Sequence, residues 1–135
     1  MTAPTPGLVA EITHLVGEGD TATAMGSGDV PVLATPRLLA LAESATVAAI
    51  AGTLSSDTTS VGTRVELEHL VASPVGVRVS VRAELVGVDG RMLRFEIVAG
   101  HPDGRVVAHG RISRVVVDRV RFLRRSGGPG PLNGR

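Results

Sequence analysis

The sequence predicts an α+β domain in which one long central helix is wrapped by a curved antiparallel sheet of about five strands. Residues 36–52 are apolar at helical spacing and carry almost no polar surface, which is typical of a helix enclosed by the rest of its fold. From residue 61 onward the apolar period changes to two, as in strands with one buried face. One such helix followed by four alternating segments favours a layer of helix on a layer of sheet.

Each element has a local signature. Residues 8–16 are rich in apolar and β-compatible positions and predict an opening strand, and residues 17–29 form a loop rich in Gly and Asp. Thr35 is predicted to cap the helix, because its hydroxyl can accept from a free amide. Pro36 then fits the first turn, where no N–H is needed, and Gly52 ends the helix.

Four further strands are predicted from alternation. In residues 61–71 the odd positions, among them His69, face the core. Residues 77–85 and 91–99 continue the same pattern, and a long final strand covers residues 105–122.

The hairpin between the third and fourth strands is predicted to turn through a three-residue loop, Val88-Asp89-Gly90. This register pairs Leu85 with Leu93 and Ala83 with Phe95, so that apolar residues stand opposite apolar ones. A two-residue turn at Asp89-Gly90 would instead place Leu85 opposite a charged residue.

These elements define one domain over residues 8–123. Residues 1–7 are expected to be a flexible N-terminus. Residues 124–135 are rich in Gly and Pro with little to bury, and they predict a disordered tail.

The composition excludes several classes of function. Cysteine is absent and all 14 basic residues are Arg, so thiolate chemistry, a lysine Schiff base and a P-loop lysine are excluded. No pair of histidines has metal-ligand spacing, so no metal site is expected. A net charge of +1 and only two aromatic residues, Phe95 and Phe122, argue against nucleic-acid binding. No apolar run could span a bilayer and the N-terminus lacks signal-peptide features, so we expect a soluble, cytoplasmic protein without membrane contacts.

Three polar residues stand out on otherwise apolar surfaces. Glu43 is the only acidic residue of the helical segment and projects on its apolar face, where an isolated carboxylate is costly. His69 faces the core from the next strand, and Thr35 lies at the helix entrance beside free amides at the positive end of the helix dipole. Singly, Thr35 also fits an N-cap and His69 a hydrogen-bonded core histidine. Together, a carboxylate, an imidazole and a hydroxyl supply what acyl transfer requires.

The spacing of these three residues is also specific. With the run Leu-Leu-Ala-Leu-Ala-Glu-Ser-Ala around Glu43 and the segment 65–76 around His69, the chain resembles the fluoroacetyl-CoA thioesterase-like family of hot-dog proteins over residues 8–122. The resemblance implies hydrolysis of acyl-CoA by a homodimer or higher oligomer with sites between subunits. It implies no metal and no organic cofactor, CoA being part of the substrate. The family's catalytic and thioester-binding residues map onto Thr35, Glu43, His69 and, for the thioester, Gly62.

Two departures from the family pattern limit what is carried over. The last strand has Ile112 where the family often has His, and residues 30–34 lack the aromatic lid, so selectivity for a fluorinated acyl group is not expected. The predicted activity is hydrolysis of a small or medium acyl-CoA, with Glu43 as nucleophile or general base. The alternative is a non-catalytic hot-dog protein that binds an acyl thioester or a hydrophobic small ligand. A hydratase or dehydratase on the same fold is a third possibility.

Overall fold

The computed structural model describes residues 3–127 and confirms the α+β architecture. A 15-residue helix lies against one face of a five-stranded antiparallel sheet with the strand order β1-β3-β4-β5-β2. The elements in chain order are β1 (Val9–Leu15), a 3-10 turn (Glu18–Asp20), α1 (Ala22–Met25), α2 (Thr35–Ala49), β2 (Thr58–His69), β3 (Arg78–Asp89), β4 (Met92–Gly100), β5 (Val106–Asp118) and α3 (Arg119–Arg125). Within the described residues, no helix has both the length and the apolar character needed to cross a membrane.

The core lies between α2 and the middle of the sheet. Small residues on α2, including Ala42 and Ala45, are fully buried and let the helix approach the strands closely. Opposite them, β3 and β4 bury every second residue, as their alternation predicts. Each fully buried aliphatic or Phe side chain, such as Phe95, contributes about 1.5–3 kcal/mol to folding.

The C-terminal part of the described chain differs from the sequence-based prediction. The predicted final strand is too long, because β5 ends at Asp118, whose carboxylate accepts from the Arg121 amide and so caps the short helix α3. Residues 124 and 125, predicted to begin a disordered tail, end that helix. The remaining tail from residue 128, and residues 1–2, lie outside the described residues.

The predicted register of the β3–β4 hairpin is also wrong. Asp89 pairs with Met92 around a two-residue turn that begins at Gly90, where φ is +60°. A bulge at Val86 then absorbs one residue, so that Leu85 stands opposite Phe95. The apolar residues of both strands still face the core. The shorter turn alone would pair them with polar residues, and the extra residue of the bulge shifts the pairing back by one.

A second bulge, at Thr63, changes the face assignment in β2. Gly62 pairs with Arg114 and Arg64 with Ser113, which leaves Thr63 as the extra residue. Before the bulge the even positions face α2, and after it the odd positions do. The prediction that all odd residues of this strand face the core therefore fails for Val61 and Thr63, but it holds for His69, which pairs with the buried Ala108.

Candidate active site

The structure joins two of the three predicted catalytic residues. Thr35 is the first residue of α2, and its hydroxyl lies 2.8 Å from Nδ1 of His69 at the end of β2. The prediction that Thr35 caps the helix is wrong: Ala34 occupies the N-cap position and makes no side-chain cap. The threonine hydroxyl is therefore free to orient the imidazole.

His69 has the properties of a neutral base. Burial lowers the pKa of its imidazole from the ordinary 6.5, and the backbone of Val71 opposes part of this shift. Its Nε2 atom is buried and has no hydrogen-bond partner among residues 3–127. Such an atom costs about 1–3 kcal/mol when left unpaired, so a group from outside this chain is expected to meet it.

The Thr35–His69 pair lies in a cleft of about 300 Å³. Its walls come from residues 30–35 and 69–72, together with the start of α1 and the Ser27-Gly28 turn. Two larger depressions, of about 370 and 390 Å³, lie over charged residues on the outer face of the sheet, away from this pair. The chemistry favours the smaller cleft as the candidate site.

Asp20 fixes the helix entrance that carries Thr35. Its carboxylate lies 2.8 Å from both His14 Nε2 and Arg37 Nε, and its carbonyl accepts from the Ala34 amide. Burial opposes the ionisation of Asp20, but hydrogen bonds from the Gly17 amide, His14 and Arg37 hold its pKa well below the usual range. This ion-paired group ties β1 to the first turn of α2.

Glu43 lies apart from the Thr35–His69 pair. Its side chain is 40% exposed, so the carboxylate is less buried than its position on an apolar helix face predicts. Eight residues of helix separate it from Thr35, which is about 12 Å along the axis. Within one chain its charged neighbour is Arg114, whose Nη1 lies 3.8 Å from Oε2.

Gly62 lies directly beneath this carboxylate. A Cβ atom built on Gly62 would stand 2.6 Å from Glu43 Oε2, closer than any real contact. The residue predicted to touch the thioester is therefore the residue whose missing side chain makes room for Glu43.

Arg114 is a site residue that the sequence analysis did not assign. Its side chain is only 9% exposed, and it donates from Nε to Ser60 Oγ at 2.8 Å and from Nη2 to the Ser60 carbonyl at 2.9 Å. Burial lowers its pKa, and the charge of Glu43 opposes that shift. The sequence contains a signal for this residue. Arg114 is a charged residue on the face of β5 that carries the buried Ile112, just as Glu43 is a charged residue on an apolar face of α2.

Other histidines have structural partners. His101 Nε2 lies 2.7 Å from the hydroxyl of Ser73, which is fully buried and so inaccessible to a substrate. No group of three His, Asp or Glu residues within residues 3–127 has the geometry to hold a metal ion.

Comparisons with known proteins agree on one family. Residues 16–120 match the family described as fluoroacetyl-CoA-specific thioesterase, FlK. The fluoroacetyl-CoA thioesterase of Streptantibioticus cattleyicolor is 35% identical over 91 residues, which cover 67% of this chain and 65% of that enzyme. The match thus spans slightly less than two thirds of the curated relative.

Solved structures show the same fold. The fluoroacetyl-CoA thioesterase FlK superposes with a TM-score of 0.86 at 27% identity, covering 96% of this chain and 99% of that one. A thioesterase superfamily member from Thermus thermophilus gives 0.85 at 25% identity, with 94% and 96% covered. A hot-dog-like protein from Thermanaerovibrio acidaminovorans gives 0.82 at 25% identity, with 96% and 94% covered. The predicted hot-dog fold is confirmed.

Proposed function

The chain belongs to the fluoroacetyl-CoA-specific thioesterase family, and from this premise we propose that it hydrolyses small or medium acyl-CoA thioesters at a site shared between two subunits. The observation that carries the proposal is the hydrogen-bonded Thr35–His69 pair, whose buried Nε2 atom has no partner among residues 3–127. A neutral imidazole oriented in this way is suited to move a proton in acyl transfer.

The second subunit supplies the missing carboxylate. In the described residues β2 pairs only with β5, so its other edge is free, and residues 62–66 along it are exposed. A long free edge of this kind is a template for pairing with another strand. Pairing two copies of β2 about a two-fold axis continues the sheet through the dimer.

The proposed pairing has a register that takes the bulge at Thr63 into account. Residues directly opposite each other must share a face of the sheet, and we place the two-fold axis at Glu66, which sets Val65 against Leu67 and Arg64 against Glu68. Because Thr63 is the extra residue of the bulge and has no opposed partner, the next pair after Arg64 and Glu68 is Gly62 of one subunit and His69 of the second subunit.

This register supports a composite site. Opposed residues have Cα atoms about 4.5–5.5 Å apart, and the Glu43 carboxylate lies over Gly62. Glu43 of one subunit thereby approaches the Thr35–His69 pair of the other. The two opposed Glu66 side chains repel each other, but Arg111, which pairs with Glu66 on β5, offsets that repulsion.

The three groups then divide the reaction. Glu43 attacks the thioester carbonyl or activates the attacking water, and these two roles remain alternatives. When Glu43 activates water, neutral His69 takes up the proton that the water loses and passes it to the leaving thiolate. When Glu43 attacks the carbonyl itself, the thiolate leaves, and water then hydrolyses the resulting anhydride with His69 accepting the proton of that water. The Thr35 hydroxyl holds the imidazole or stabilises the carbonyl oxygen. Water is the second substrate, the products are a carboxylic acid and free CoA, and none of these steps calls for a metal or an organic cofactor.

Release of free thiol from a panel of acyl-CoAs tests the proposal. We expect turnover with at least one small or medium acyl group and a loss of about 10²–10⁴-fold in kcat for Glu43→Gln. Glu84→Gln, an exposed carboxylate paired with Arg82 on the sheet, is the matched control. No thiol release from any substrate would favour the non-catalytic binding protein. Double-bond chemistry on an enoyl-CoA without thiol release would favour a hydratase.

A further inference from the structure

A further cleft lies beside Glu43, between the C-terminal half of α2 and the start of β2, and is called here the α2–β2 cleft. It has a volume of about 300 Å³, at the lower end of the range for ligand pockets. Its walls come from Val47 on α2, from residues 50–52 and 54–56 in the turn after the helix, and from Thr58, Thr59 and Ser60 on β2.

The α2–β2 cleft lies on the same side of the sheet as the Glu43 carboxylate. Val47 follows Glu43 by one helical turn, so their Cβ atoms are about 5–6 Å apart. On β2, Ser60 shares the helix-facing side of the strand with Gly62, because even positions face α2 before the bulge. The Ser60 hydroxyl accepts a hydrogen bond from Arg114, whose Nη1 lies 3.8 Å from Glu43 Oε2. The cleft and the proposed catalytic carboxylate therefore share a wall.

The lining of this cleft combines aliphatic and hydroxyl side chains. Val47, Ile50 and Leu54 supply an aliphatic surface, and five Ser and Thr residues lie between positions 55 and 60. The Ser60 hydroxyl receives its hydrogen bond from Arg114, so its own hydrogen is left to donate to a ligand. In the part of the chain that the structure describes, Arg119 is the only charged residue of the lining. Such a surface suits an uncharged chain that carries both methyl groups and amides.

The cleft around Thr35 and His69 has a different character, because most of its lining residues are aliphatic. In the proposed dimer, Gly62 of one subunit lies opposite His69 of the other. Ser60, two residues before Gly62, lines the α2–β2 cleft. The two clefts therefore meet beside the Glu43 carboxylate, one of them largely aliphatic and the other amphipathic.

We propose that the α2–β2 cleft binds the pantetheine arm of the acyl-CoA, an assignment that rests on the proposed thioesterase function. The arm is uncharged and carries amide groups, a hydroxyl and a dimethyl carbon, which match the two kinds of lining residue. It begins at the sulfur of the thioester, so it enters a cleft one helical turn from Glu43. An aliphatic acyl chain in this cleft would leave the Ser60 hydrogen without an acceptor. The acyl group therefore occupies the cleft beside Thr35 and His69.

Thioesters that share the acyl group and differ in the length of the thiol test the assignment. Ala51 lines the cleft eight residues after Glu43, about 12 Å along the helix direction, and is exposed. In Ala51→Phe we expect KM for the acyl-CoA and for the acyl-pantetheine to rise about tenfold with kcat unchanged. The N-acetylcysteamine thioester keeps only the part of the arm next to the sulfur, so its KM should not change.

The matched control is Ala48→Phe, which adds the same ring at an exposed position of α2 outside the cleft lining. An equal rise in KM in this control, an equal rise for the N-acetylcysteamine thioester, or no rise for the acyl-CoA would overturn the assignment. A loss in Ala51→Phe that grows with the length of the acyl group and is the same for all three thiols would place the acyl chain in this cleft, which also overturns it.

Calorimetric titration with CoA measures the cleft independently of turnover. Weaker binding in Ala51→Phe but not in Ala48→Phe, in a protein that hydrolyses no acyl-CoA, would contradict only the proposed activity. Hydrolysis of acyl-CoA with the same KM in the wild type and in both variants would contradict only the assignment of the arm.

Discussion

Replacing Gly62 by Ala tests the position of the proposed catalytic carboxylate, that of Glu43, without removing it. The added Cβ would lie 2.6 Å from Glu43 Oε2, so the carboxylate must move by about 0.8 Å to reach an ordinary 3.4 Å contact. Displacements of about 1 Å at a reacting group cost on the order of 10²-fold in rate. We therefore expect kcat/KM for an acyl-CoA to fall about 100-fold.

The stability of this variant should not fall with its activity. Gly62 is not in the left-handed region of φ, and Ala in place of such a glycine reduces the entropy of the unfolded chain, which stabilises by about 0.4–1 kcal/mol. Thiol release and urea unfolding, measured on the same preparation, separate the two effects. Gly19→Ala is the control, because its Cβ would meet nothing within 4 Å. Full activity in Gly62→Ala, or a further loss when it is added to Glu43→Gln, would refute the role given to this contact.

Three further predictions concern the groups around the site. Thr35→Ala should lower kcat about 10–100-fold with little change in the free energy of unfolding, because the hydroxyl orients His69 and does not cap α2; Thr35→Ser should keep most of the activity, and a loss of stability equal to that of a missing cap would contradict this. Arg114→Met should lower the free energy of unfolding by about 2–4 kcal/mol, because the hydroxyl and carbonyl oxygens of Ser60 lose their buried donor. An unchanged urea midpoint of unfolding would disprove this prediction. Burial depresses the pKa of His69 below 6.5, so the unfolded chain takes up a proton before the folded chain as the pH falls. The free energy of unfolding should therefore decrease below pH 6.5 more steeply in the wild type than in His69→Gln. Parallel plots of unfolding free energy against pH for the two proteins would exclude this linkage.

The fold followed from patterns that act over short distances. The buried helix and the alternating strands appear in the sequence because a helix with an apolar surface must be covered and a strand with one buried face must alternate. The strand registers did not follow. Each of the bulges at Val86 and Thr63 inserts one extra residue into its strand and so shifts the pairing with the neighbouring strand by one position. Apolar and polar residues still alternate on either side of the bulge, so the sequence pattern does not reveal it.

The candidate site was predicted from a pattern of the same kind. Glu43 and His69 stood out as polar groups on apolar faces, and Arg114 carried the same signal on β5. In the proposed site their arrangement depends on the Thr63 bulge and on a second subunit, and the pattern of one chain reveals neither. Within one chain about 12 Å of helix separates Glu43 from the Thr35–His69 pair, so the described chain by itself does not bring the three predicted residues together.

Mixing two inactive variants tests the proposed site between subunits most directly. Glu43→Gln and His69→Asn homodimers should each be nearly inactive, and exchange of subunits should form heterodimers with one intact site, made of Glu43 from one chain and Thr35–His69 from the other. Random exchange makes half of the dimers mixed, so thiol release should recover to about a quarter of the wild-type rate. A rate that stays at the sum of the two parent variants after complete exchange would contradict a site formed between subunits.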